Sequence, residues 1–485
     1  MMLKFDNTYT GLPEQFFARV KPARVPEPEL IKFNRELAIR LGAKANAYSD
    51  NGLARIFSGQ DLLPGSDPIA LAYAGHQFGH FVPRLGDGRA LLLGEVITPS
   101  GERFDLQMKG SGQTPFSRGG DGKAPLGPVL REYLVSEGMH HLGLPATRAL
   151  AAVATGENVY REKAQPGAII TRAASSHVRV GTFEYFEARQ DLENLKKLTD
   201  YCIKRHFPEI RHKSDSYLLF FQEVARAQVE LVTGWMAMGF IHGVMNTDNM
   251  SIAGETIDFG PCAFMDSFRF NQVFSSIDQF GRYSYSNQAR ITLWNLSRLA
   301  NSLVPLVKNG SGRAAEEFQS ELSAAGTFFE ERLHQKMGQK LGLFNTRAQD
   351  WKLITKWLQH LESHGLDYTL SFRVLSNLVD NEDVKALFDD TPNLRDFLRE
   401  WRKRVHEQDM DIQTIKERMD KANPVFIPRN HRIEQVIAAG LQGDFSLFHE
   451  MNEVLKKPFE DRKEFEAYKT PPAPHEAVQA TFCGT

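Results

Sequence analysis

The sequence predicts an α+β fold of two lobes, a smaller β-rich lobe followed by a larger α-helical one. Three observations predict it. Strand-like runs crowd the stretch from Arg89 to Ala174. Helical periodicity takes over from Leu192. Nearly everything beyond Asn287 reads as helix. In order, Pro26 to Leu41 reads as an amphipathic helix, with Leu30, Phe33, Leu37 and Leu41 on one stripe. Arg89 to Thr98 and Arg103 to Lys109 flank the polar turn Pro99-Ser100-Gly101, which predicts a β-hairpin. Pro128 to Leu142 is a helix, and Ala146 to Thr155 and Gly167 to Ala174 are two more strands. Leu192 to His206 and Tyr217 to Met238 are helices. Ser251-Ile252 and Thr256-Ile257 form a short hairpin around Gly254-Glu255. Helices then cover Gln288 to Leu303, Ala314 to Leu341, Arg347 to His364 and Leu394 to Ala422. The predicted units are an N-terminal extension over 1–70, a β-rich N-lobe over 71–190, a helical C-lobe over 191–425, and a C-terminal helix with extended tail over 426–485.

Composition narrows the function. The chain has 485 residues, 58 Lys and Arg against 60 Asp and Glu, and a net charge of -2. That balance gives no broad basic field, so neither nucleic acid nor an anionic membrane is expected as a partner. No apolar run is long enough to span a bilayer. The start MMLKFDNTYTGLPEQ lacks the basic-then-apolar order of a secretory signal, and only 3 Cys are present. A cytoplasmic monomer is expected.

The strongest motif is the run from His242 to Gly260. Nucleotide chemistry rests on positioning and charge neutralisation, so its sites need metal-binding oxygens beside a phosphate cradle. Kinase catalytic loops supply His-x-Asp, an Asn five residues after that Asp, and later Asp-Phe-Gly. Here His242-Gly243 opens the loop, Asn249 holds the Asn position, and Asp258-Phe259-Gly260 closes it. Asn249 and Asp258 are therefore expected to bind Mg²⁺ or Mn²⁺, in a protein-kinase-like fold. The base position holds Val244, which cannot accept a proton. Asp248, in the same loop, is the candidate catalytic base.

The smaller lobe should supply a lysine for phosphate and a glutamate to hold it. Lys109 ends the second strand of the hairpin and Glu132 follows on the next helix, in the strand-then-helix order of kinases. Gly86 and Gly88 precede Arg89 and the first strand, and Asp121-Gly122 follows the second. Such glycines let backbone N–H groups approach an anion. Arg172 and Arg179 lie on or after a later strand and could clamp phosphate. His76 and His80 have the spacing of a zinc pair, but Gly75 and Gly79 disfavour a helix there and favour a structural role.

Together these residues resemble the selenoprotein O family of kinase-like protein adenylyltransferases. The matching blocks are FDNTYTGLPEQFFARV, AYAGHQFGHFVPRLGDGRA, QMKGSGQTPFSRGGDGKAPLGPVLREYL, HGVMNTDNMSI and IDFGPCAFMD, which span nearly the whole chain. The resemblance implies transfer of AMP from ATP to Ser, Thr or Tyr hydroxyls of other proteins, or of UMP from UTP with Mn²⁺. It implies a nucleotide flipped relative to kinases, so that the α-phosphate faces the acceptor. It makes Gly86, Gly88 and Arg89 nucleotide contacts, Lys109 with Glu132 a phosphate anchor, and Asp121 with Gly122 a flap. Arg172 and Arg179 would line the γ-phosphate pocket, Asn249 and Asp258 would bind metal, and Asp248 would accept the proton. The resemblance also raises a redox disulfide between Cys262 and Cys483; two unrelated reduced thiols are the alternative. Competing functions are a phosphotransferase of the aminoglycoside-kinase kind, against which Val244 weighs, and a nucleotide-binding pseudokinase.

Overall fold

The computed structural model describes residues 3–44, 47–307, 311–380 and 391–482. Among them, twelve strands follow in chain order: β1 (Phe17–Arg19), β2 (Glu29–Phe33), β3 (Ile69–Leu71), β4 (Gly75–Gln77), β5 (His80–Val82), β6 (Ala90–Ile97), β7 (Arg103–Lys109), β8 (Ala124–Pro125), β9 (Arg148–Tyr160), β10 (Ala164–Ala174), β11 (Phe240–Ile241) and β12 (Ala263–Phe264). The helices early in the chain are α1 (Arg35–Arg40), α2 (Asp50–Phe57), α3 (Leu126–His141), α4 (Val180–Glu187), α5 (Leu192–His206), α6 (Ser216–Ala237) and α7 (Gln288–Leu303). They are followed by α8 (Ser311–Lys340), α9 (Asp350–His364), α10 (Tyr368–Asn377), α11 (Pro392–His406), α12 (Ile412–Ala422), α13 (Asn430–Gly440), α14 (Ser446–Leu455) and α15 (Glu466–Lys469).

The molecule is a mixed α/β structure around an antiparallel sheet of order β1-β3-β6-β7-β10-β9-β2, with β8 added beside β10. Alternate residues of a strand face opposite sides, and the core divides accordingly. Leu93 of β6 and Ile169 of β10 join Leu37, Leu53 and Phe57 from α1 and α2 on one face. Leu92 and Ile170 join Leu130 and Leu134 of α3 on the other, in a cluster that runs on into the helices of the second half. Helix α3 packs on β9 and β10, and α13 and α14 pack on α3. No helix among the described residues is long and apolar enough to cross a membrane.

The β6–β7 hairpin and helices α5 and α7 form where the sequence predicts them. Three readings are corrected. Pro26 to Leu41 is strand β2 followed by the short α1, because Ile31 and Phe33 bury by alternation against β9. Asn34 then caps α1, accepting from Leu37 N at 3.1 Å. The stretch around Ser251 and Thr256 is not a two-stranded ribbon. Its residues make single bridges, Ser251 with Arg179 and Thr256 with Ala146 and Met250. Leu394 to Ala422 is two helices, and Asp411 caps the second by accepting from Thr414 N at 2.8 Å. Helices α4 and α10 were not expected at all.

Candidate active site

The loop after β11 is braced before it is functional. His242 is buried and stacks on Trp235, with ring centres 5.3 Å apart. Its Nε2 donates to the Ile257 carbonyl at 2.9 Å, and burial depresses its pKa, so the ring is neutral. His242 thus ties the start of the loop to the residue before Asp258. The β4–β5 hairpin clamps the loop's other side. The N–H of His76 donates to Thr247 Oγ1 at 2.7 Å, and the N–H of Phe78 donates to Asn246 Oδ1 at 3.0 Å. Tyr283 adds a second donor to Asn246 at 2.6 Å. His76 and His80 therefore belong to a hairpin, and His76 Nδ1 lies 2.6 Å from Glu184.

Lys109 leaves the end of β7 and reaches two carboxylates. Its Nζ is 2.7 Å from Glu132 on α3 and 2.7 Å from Asp258. Arg172, on the neighbouring β10, joins the same pair at 2.7 Å and 2.9 Å. Its Nε and Nη2 are fixed by Gln107 Oε1 at 2.9 Å and 2.6 Å. Arg179, at the start of α4, reaches Asp258 Oδ2 at 3.6 Å and donates to the Asp248 carbonyl at 2.9 Å. Its guanidinium lies over the Tyr73 ring at 4.3 Å. Burial opposes charge on Asp258, but Lys109, Arg172 and Arg179 outweigh it and hold this carboxyl well below its usual range. Asp258 has φ +62, a conformation unusual for a residue with a side chain, which this network holds in place.

These groups line a cavity of about 660 Å³. Of the residues read from sequence, Gly86, Gly88, Arg89, Lys109, Asp121, Gly122, Arg172, Arg179, Asp248, Asn249 and Asp258 all line it. Glu132 stands behind Lys109 and is buried. Asp121 is pinned to Arg161 by two bonds of 2.9 Å and 3.0 Å, which fixes the loop over one wall. Gly122 has φ +69, and a Cβ there would run into the Gly112 backbone. Cys262 is buried just behind the cavity wall at Pro261. Cys483 lies outside the described residues, so the pair has no structural reading. The tail does reach this wall, where Thr481 Oγ1 donates to the Pro261 carbonyl at 2.6 Å.

Asp248 differs from Asp258. Gln77 donates to its Oδ2 at 3.2 Å, while its Oδ1 is buried without a hydrogen-bond partner. Burial pushes this carboxyl up to about 6, against the pull of Gln77 and Arg179. Val244 lines the cavity beside it, and its carbonyl accepts from Asn249 Nδ2 at 2.9 Å. That bond uses the amide nitrogen of Asn249 and not its amide oxygen. An amide oxygen and a carboxylate are hard donors that suit Mg²⁺ or Mn²⁺ when substrate phosphates complete the shell. Among the described residues no three His, Cys, Asp or Glu side chains gather as a self-sufficient metal site. An amide oxygen and a carboxylate on one cavity wall fit such an ion.

Several cavity residues were not assigned roles from sequence. Asp87 is buried between Leu71 N, at 3.1 Å, and Gln107, at 3.0 Å, and burial raises its pKa. It sits between Gly86 and Gly88, so its position was readable but its partners were not. Gln77 and Asn246 act only through contacts distant in sequence.

The chain matches the family model described as protein adenylyltransferase SelO over residues 1–456. A protein nucleotidyltransferase YdiU of Rhizobium etli (strain CIAT 652) is 51% identical over 486 residues, covering 99% of this chain and 97% of the relative. Those of Rhodopseudomonas palustris (strain ATCC BAA-98 / CGA009) and Rhizobium meliloti (strain 1021) are 52% and 50% identical, each covering 99% of both chains. The order Lys109, Glu132, Asp248, Asn249 and Asp258 around one cavity, and this similarity along the chain, place the protein in the SelO family of protein adenylyltransferases.

Proposed function

We propose that this protein is a metal-dependent nucleotidyltransferase that moves AMP from ATP, or UMP from UTP, to Ser, Thr or Tyr hydroxyls of other proteins. In this reading the β-rich half and the helical half are the lobes of a protein-kinase-like fold, and the nucleotide is held flipped. The observation that carries the reading is the gathering of Lys109, Arg172 and Arg179 with the Asp248 carboxyl around one cavity. Lys109, Arg172 and Arg179 supply three positive charges, set against Glu132, Asp258 and, 3.9 Å from Arg179, Asp87. Arg172 and Arg179 are 2% and 1% exposed, so the cationic end is deep. A deep cationic end suits the terminal phosphates, and the flipped nucleotide of this reading would bring the α-phosphate to Asp248.

The residues then divide the work. Lys109, held by Glu132, anchors phosphate, and Gly86 and Gly88 allow backbone approach. Asn249 and Asp258 would hold the divalent ion, which neutralises phosphate charge when bound. Asp248 accepts the proton of the acceptor hydroxyl. The acceptor oxygen bonds to the α-phosphorus, the bond from that phosphorus to the bridging oxygen breaks, and pyrophosphate leaves. Val244 fits this assignment, since its position serves attack at the γ-phosphate.

The test is incubation with acceptor protein and ATP labelled at the α- or the γ-phosphorus. Label arriving from the α position alone supports the proposal. Label from the γ position marks a phosphotransferase, and label from neither marks a nucleotide-binding module.

A further inference from the structure

A second hollow of about 460 Å³ adjoins the cavity, and Phe78 and Ile277 are walls of both. Arg282 lies in it, 4.6 Å from the Trp294 ring centre and 5.7 Å from that of Tyr283. Among the described residues its side-chain Nε and Nη2 are buried without a hydrogen-bond partner, while the guanidinium also interacts with the Tyr283 hydroxyl. A guanidinium with buried, unanswered N–H groups is costly unless something supplies acceptors. The carboxylate nearby, Asp278, is already engaged, accepting from the backbone N–H of Arg282 at 2.9 Å and of Tyr283 at 2.7 Å. Arg290 and His80 line the same hollow. The hollow thus sets two guanidinium groups, Arg282 and Arg290, against one carboxylate, Asp278, with Gln279 and Asn287 as its neutral polar lining.

Its mouth is apolar. Phe280 is 96% exposed and Ile277 is 53% exposed, both on this rim. Large exposed apolar side chains beside a buried cation favour a polypeptide over a small inorganic anion. Position favours the acceptor as well. Gln77, which holds Asp248, precedes Phe78 in the chain, so the wall shared with the hollow continues the wall at Asp248.

We propose that this hollow is the acceptor-side subsite, and that it takes an Asp or Glu side chain of the substrate protein close to the modified hydroxyl. The carboxylate would pair with the Arg282 guanidinium, whose Nε and Nη2 are enclosed in this structure and would have to turn toward the hollow, with Arg290 adding charge and Phe280 and Ile277 covering the peptide. The proposal rests on the transferase reading above, and its test separates the two.

Matched peptides carrying one Ser and, at scanned flanking positions, either an acidic residue or its amide are assayed by fluorescence anisotropy for binding and by α-labelled ATP for transfer. Wild type should bind the best acidic peptide about tenfold more tightly than its amide twin. The preference should appear in KM more than in kcat. The ratio should fall to about one in Arg282→Gln, fall partly in Arg290→Gln, and return in part in Arg282→Lys. Kinetic ratios are taken within each variant, so loss of folded protein cancels. Equal binding of acidic and amide peptides by wild type, or a ratio unchanged in Arg282→Gln, overturns the proposal. Labelling without charge preference removes the subsite and leaves the transferase reading intact. Charge-dependent binding without any labelling contradicts the transferase reading instead.

Discussion

Lys109 Nζ lies 2.7 Å from Asp258 Oδ1, across 149 positions of sequence, and also 2.7 Å from Glu132. One lysine thus joins the sheet, helix α3 and the loop that ends in Asp-Phe-Gly. Truncation of one partner in such a buried network leaves charge uncompensated and costs about 3–5 kcal/mol in stability. Lys109→Met keeps the stem and removes the charge. It should abolish transfer and weaken ATP binding at least tenfold, by titration calorimetry. Glu132→Gln should weaken both less, because Asp258 still holds the lysine.

Asp258 and Asp248 should separate binding from chemistry. Asp258→Ala should remove the dependence of nucleotide binding on divalent metal. Asp248→Ala should bind nucleotide with near-normal affinity and lose transfer by about 10² or more. Calorimetry with and without metal, beside a transfer assay, checks both. Normal transfer by Asp248→Ala refutes its role as base.

Gly75 offers a way to disturb Asp248 without touching its chemistry. A Cβ at Gly75 would lie 2.6 Å from Asp248 Oδ1 and 2.9 Å from its Cβ. Gly75→Ala must therefore push the carboxylate aside. Transfer should fall with kcat, while KM for ATP changes little. An unchanged kcat would show that the carboxylate's placement does not matter.

Lys340 predicts a pH dependence of stability. It is 2% exposed, with Nζ 4.5 Å from the Phe372 ring centre, and burial lowers its pKa from 10.5 to about 7. The folded protein holds this proton less tightly than the unfolded chain. Between about 7 and about 10 the unfolded state binds more protons, so this group's contribution makes stability rise with pH across that window. Below about 7 the deficit is full. Lys340→Met should flatten this slope and stabilise the protein near pH 6, on the order of 1 kcal/mol or more. Urea unfolding of both proteins at several pH values measures it.

Much of the fold was legible where local pattern decides. Helices α5 and α7 end where periodicity ends, and Gly101, with φ +88, closes the β6–β7 turn. Strand β2 was misread because Leu30, Phe33, Leu37 and Leu41 also satisfy a helical stripe, and only pairing with β9 decides between the two. Helix α4 is only eight residues long and almost wholly buried, so it shows no polar face to read. The gathering of Lys109, Glu132, Asn249 and Asp258 at one cavity was legible from their order. The parts played by Asp87, Gln107, Gln77 and Asn246 were not, because each acts through a hydrogen bond to a residue far away in sequence or on another strand.

The most direct single measurement is the intact mass of an acceptor protein after incubation with ATP and divalent metal, with the released product identified. The expected result is one adenylyl group added per modified hydroxyl, with pyrophosphate released in equal amount. Addition of a phosphoryl group with release of ADP would contradict the assignment of Asp248, Lys109, Arg172 and Arg179 to a flipped nucleotide.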